Sequence, residues 1–132
     1  FKRTSPHPNL ITFDCPDSNV TCVKRNISNT PIAALATLNN SVFTDAAKAM
    51  ARRLIKERNS DSERIAMGFQ LCTARKPSTK EAAAFLTLLK KAKLYYGENE
   101  TEAKTFNGDA EASAWATLTR IFLNLDEFIT RE

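Results

Sequence analysis

The chain has 132 residues, of which 42% are hydrophobic and 26% charged, the composition of one soluble globular domain. About two-thirds of the unfolded surface is buried at this size, so folding needs neither a metal nor a disulfide framework. No run approaches the roughly 18 apolar residues of a membrane span, no signal peptide is apparent, and the net charge of +4 comes without a nucleic-acid-reading motif.

Only 3 glycines and few β-branched runs point to an all-α fold. Residues 1–28 contain Pro6, Pro8 and Pro16 and keep neither a helical nor a strand period, so they read as an irregular arm. The arm also holds Leu10, Ile11, Phe13 and Val20, too apolar for a solvated tail. It is therefore expected to pack on the helices of residues 29–132, with Phe13 buried. The first residue is Phe1 rather than Met, which suggests a cut piece or a mature product.

A helix begins at Asn29-Thr30-Pro31, where a polar cap precedes a proline whose missing N–H has no partner in a first turn anyway. It ends near Asn39-Asn40. A second, over residues 41–58, puts Phe43, Ala46, Ala47, Met50 and Leu54 on one face. Ser60 with Glu63, and Ser78 with Glu81, have the spacing of reciprocal capping boxes and open two further helices. The third buries Ile65, Phe69 and Cys72 and stops before Pro77, and the fourth buries Ala82, Phe85, Leu86 and Leu89 and ends at Gly97. Residues 98–107 read as a polar loop. Asp109 caps a last helix whose stripe runs through Trp115, Leu118, Ile121, Phe122, Leu125, Phe128 and Ile129. The expected architecture is a bundle of about five helices behind the arm.

Charge is distributed unevenly. Residues 41–97 carry twelve basic and five acidic side chains, and residues 98–132 three basic and eight acidic. Without an aromatic stacking platform beside the basic segment, complementarity inside the chain is the simpler account, with the acidic last helix beside the basic central ones.

The ordered phrases KRTSPHPNLITFDCPDSNVTCVKR, NTPIAALATLNNSVFTDAAKAMARRL, ARKPSTKE, and AW followed by LNLDEF resemble the C-terminal part of a planctomycete-specific domain of unknown function. Proteins with that domain are large and exported, with a cytochrome-c-like domain near the N-terminus. The resemblance implies an exported or periplasmic setting and partners in the upstream domains of the same parent protein, while the missing reading motif and the missing apolar span argue against nucleic acid and against membrane insertion. Its pattern includes Phe43, Arg75, Pro77, Glu81 and Phe128. It marks Asp14, Asp17, Arg25, Asn39, Arg53, Trp115, Asn124, Asp126 and Glu127 for a structural or interface role. Where the family reads Thr-Pro-Leu-Gln-Ala-Leu, this chain has Thr30-Pro31-Ile32-Ala33-Ala34-Leu35, so a role for that glutamine is not required here.

No catalytic, cofactor-binding or metal-ligating residue emerges. Haem attachment requires Cys-x-x-Cys-His, which is absent, so any haem belongs to another domain of the parent. His7 stands alone in the arm, and three cysteines with one histidine lack zinc-ligand spacing. Cys15 and Cys22 either bridge a small loop or remain thiols. Asp126 and Glu127 are neighbours, about 100 degrees apart if helical, a poor arrangement for paired acid and base work. Asp14 and Asp17 suit turns beside Pro16, or pairing with Arg25 or Arg53.

Two function classes remain. One is a non-catalytic helical module that completes a larger exported bacterial protein. The other is part of a polysaccharide-related enzyme whose active site is shared with the region upstream.

Overall fold

The computed structural model describes residues 8–16, 21–24 and 30–130. Among these the fold is all-α, with helices α1 (Pro8–Thr12), α2 (Pro31–Asn39), α3 (Ser41–Glu57), α4 (Asp61–Thr73), α5 (Thr79–Glu98), α6 (Glu100–Asn107), α7 (Ala110–Phe122) and α8 (Asp126–Ile129).

Local chemistry explains most of the helix starts. Thr30 accepts from the Ala33 N–H with Pro31 at the first helical position, Asn40 accepts from the Val42 N–H, and Asp109 accepts from the Ala112 N–H. Both capping boxes, Ser60 with Glu63 and Ser78 with Glu81, close in both directions. Gly108, at φ 97, turns the chain between α6 and α7 in a conformation that a Cβ would oppose.

The core forms around α7. Its Ala112, Ser113, Ala114, Trp115, Ala116, Leu118, Thr119 and Phe122 are all buried, so this helix has almost no solvent face. Small side chains all around it let α3, α5 and α6 approach closely, while Trp115 and Phe122 fill the larger spaces. Phe122 meets the rings of Phe85 and Phe69 edge-on, with centroids 5.0 and 6.3 Å away. Each such fully buried side chain contributes about 1.5–3 kcal/mol. Gly68 admits this cluster, because a Cβ there would lie 2.8 Å from a Phe122 ring carbon and 2.9 Å from a Leu54 methyl.

Three elements depart from the expectations. The arm includes the short helix α1, which packs against α2. Phe13 lies against Phe43, with centroids 6.0 Å apart, but stays 38% exposed rather than buried. The expected loop over 98–107 folds into α6, because Ala103 is buried against α7 and its carbonyl accepts from the Ser113 hydroxyl at 2.9 Å. The last helix breaks after Phe122, where the Asn124 and Leu125 N–H groups turn back to the carbonyls of Ile121 and Phe122 before α8 begins.

Candidate functional site

The densest polar constellation gathers where α4 ends, α5 begins and α8 returns. Ala74 closes α4 in the left-handed region, at φ 59, and the next residue, Arg75, lays its guanidinium over the Phe69 ring, 4.7 Å from the centroid. Arg75 donates from Nε and Nη2 to the two carboxylate oxygens of Glu127, at 2.9 and 2.6 Å. It donates from Nη1 and Nη2 to Glu81, at 3.0 and 2.7 Å. Glu81 also accepts from the Ser78 N–H at 2.7 Å, so one carboxylate both caps α5 and grips the arginine.

These bonds favour the ionised forms. The hydrogen bonds from Arg75, followed by those from Ser78, bring Glu81 down to about 2. Arg75 holds Glu127 below the usual carboxylate range, and both acids raise Arg75 further. A general acid or base works best with a pKa near the operating pH, and Glu81 lies far from it. The cluster is therefore suited to tying segments together. Its members are substantially exposed, so its value lies more in bidentate geometry than in raw energy.

A second set of ties joins α2 and α3 to α7 and the turn that follows. The Thr37 hydroxyl lies within hydrogen-bond reach of Asn124 Oδ1 and, at 2.8 Å, of the Ala34 carbonyl, and its one proton is shared between these two acceptors. Arg120 donates from Nη2 to the Leu38 carbonyl, and the buried Thr119 hydroxyl lies 2.8 Å from the Ala47 carbonyl. On the other side, Arg64 donates to Glu111 at 2.7 Å and lies over the Trp115 ring, 5.7 Å from its centroid. The charge complementarity expected between the basic middle and the acidic end is realised in Arg64 with Glu111 and Arg75 with Glu127.

The structure thus brings Glu127 and Asn124 into inter-segment bonds and places Trp115 in the core. Asp126 serves α8, where its backbone carbonyl accepts from the Thr130 hydroxyl at 2.8 Å and its carboxylate lies 3.3 Å from the same hydroxyl. Arg53 pairs with Glu57 one turn on, at 2.8 Å, and Asn39 is exposed at the end of α2. Asp14 takes φ 52 in the turn closing α1, where its N–H donates to the Ile11 carbonyl at 3.2 Å. Asp17, Arg25 and His7 lie outside the described residues.

Sequence reading did not single out Arg75 as the hub, nor Thr37 and Arg120 as partners. A usable signal for the first was an arginine just ahead of a capping box, within reach of its glutamate.

Cys15 and Cys22 are exposed free thiols, and burial pushes the Cys72 thiol up to about 11, which keeps it protonated and inert. Among the described residues no three or more His, Cys, Asp or Glu side chains gather as metal ligands, and no helix is long and apolar enough to cross a membrane.

No curated protein and no solved structure matches the chain. One family does, over residues 1–89, from the arm into α5, so the match takes in Arg75 and Glu81 but not Trp115, Asn124, Asp126 or Glu127. With 89 of its 132 residues matched, the chain belongs to the family described as PSD1, protein of unknown function (DUF1553).

Proposed function

We propose that this chain is a non-catalytic helical module that completes a larger exported bacterial protein by docking against its upstream domains. The observation that carries this reading is the use made of the polar side chains singled out by the family resemblance. Arg75, Glu81, Asn124 and Glu127 are bonded across segments of their own chain, a role that shapes and holds a surface.

The docking face lies at the other end of the chain, on touching elements. Ile32 and Leu35 on α2 and Val42 at the start of α3 are 67%, 57% and 71% exposed, and Leu10 and Ile11 on α1 lie on the element packed against α2. Exposed apolar side chains grouped on neighbouring elements mark interaction surfaces. The planctomycete setting, the export and the position at the C-terminal end of the parent all rest on the resemblance of the ordered phrases.

Hydrogen exchange on the intact parent, compared with the isolated chain, tests the proposal. Slower exchange in α2 and the first turns of α3 within the parent is the expected result. Equal exchange in both would overturn docking. A hydrolytic activity of the parent that is lost on Asp14→Asn or Arg53→Gln, with the fold intact, would instead establish the shared-active-site reading.

A further inference from the structure

The seam between α5 and α7 is filled at one end and open at the other. Towards the start of α5, Phe85 and Leu89 meet Phe122 and Leu118 in the core. Further along, small residues face each other, Ala92 from α5 and Thr117 from α7, and the helices leave a cleft of about 330 Å³ above the buried Leu118. Leu88 and Ile121 close one end and Tyr95 and Tyr96 the other, so the lining carries no charged side chain.

The aromatic walls are held from outside the cleft. Tyr95 donates its hydroxyl to Glu102 at 2.7 Å, and the Tyr96 ring stacks on Phe106 with an interplanar angle of 4°. The two tyrosine rings meet edge-on, 5.2 Å apart. Walls fixed before a ligand arrives lower the ordering cost of binding.

The direction of one hydrogen-bond chain then defines what the cleft accepts. Thr117 Oγ1 donates to the Ser113 carbonyl at 3.0 Å and lies 3.1 Å from the Tyr96 hydroxyl. A threonine hydroxyl has one proton, already given to the carbonyl, so the proton between the two hydroxyls belongs to Tyr96. Tyr96 Oη is left with lone pairs only. It is an acceptor at the edge of an uncharged, aromatic-walled cleft.

We propose that this cleft binds a small neutral aromatic molecule carrying a single N–H or O–H donor, of the indole or phenol class, with the donor on Tyr96 Oη. The volume lies at the lower end of the roughly 300–1,000 Å³ typical of small-molecule sites, which suits one or two fused rings. This site is separate from the docking face on α2 and α3.

The test uses the full chain with indole and with indene, its carbon analogue lacking the N–H. Titration followed by NMR should show saturable one-to-one binding of indole, with the largest shifts at Ala92, Tyr96 and Thr117. Indene should bind about fivefold more weakly, the effect of one hydrogen bond. Tyr96→Phe should reduce indole to the level of indene and leave indene unchanged. Equal affinities for the two ligands in the unaltered chain, shifts centred elsewhere, or no saturation up to the solubility limit of indole would each overturn the proposal, whether or not the variant folds.

Discussion

Arg75 holds Glu127 through two parallel hydrogen bonds across 52 positions of sequence, and the same guanidinium holds Glu81 through two more. One side chain, stacked on Phe69, thereby sets the end of α4, the start of α5 and the position of α8 relative to one another. Arginine suits this role because its planar fork meets two carboxylates at once, which a lysine ammonium does not.

This cluster makes the docking of α8 sensitive to acid. Glu81 and Glu127 have folded-state pKa values below the unfolded value of roughly 4.3. Their contribution is therefore present above that value and is lost as the pH falls towards about 2, where Glu81 protonates. The difference in thermal midpoint between the unaltered chain and Glu127→Gln should hold above roughly pH 5 and narrow as the pH falls below it and Glu127 protonates. High salt at pH 7 should also narrow it, because the groups are exposed. A difference constant from pH 7 to pH 2 would show that the bonds contribute nothing.

Ala74 occupies the left-handed region without the freedom of a glycine. An L-residue with a Cβ is disfavoured there by roughly 1–2 kcal/mol, offset in part by the larger unfolded-state entropy of glycine. Ala74→Gly should thus raise stability by about 0.5–1 kcal/mol in denaturant titration without changing the slope.

Gly68→Ala should do the opposite, although alanine is the better helix former by about 1 kcal/mol. The new Cβ would lie 2.8 Å from the ring of Phe122, which is packed edge-on against Phe69 and Phe85, and 2.9 Å from a Leu54 methyl. Overpacking of about 1–3 kcal/mol outweighs the propensity gain. The expected outcome is a thermal midpoint lower by a few degrees in calorimetry.

Phe13→Ala tests how firmly the arm is attached. Its ring touches Phe43 yet remains 38% exposed, so the loss should be below about 1 kcal/mol, near the lower end for an aromatic pair. Phe122→Ala, by contrast, empties a fully buried site and should cost about 3–5 kcal/mol. Equal effects of the two in denaturant titration would mean that the arm belongs to the core.

The sequence alone determined the all-α class, the starts of α2, α3, α4, α5 and α7, and the large buried side chains of α7, Trp115, Leu118 and Phe122, though not the burial of its small residues on the other sides, because caps and apolar stripes act over three or four residues. It did not reveal α6, whose charged and polar residues mask the one buried Ala103 that fixes it. Nor did it reveal the break after Phe122, since the stripe from Trp115 to Ile129 continues without a proline or glycine. That break is stabilised from far away, by Thr37 on Asn124 and Arg75 on Glu127. The partners of Arg75 and Asn124 and the open cleft between α5 and α7 were likewise decided by tertiary structure. Each depends on which helices meet and how closely, and local spacing carries no information about groups brought together across 21, 52 or 87 positions.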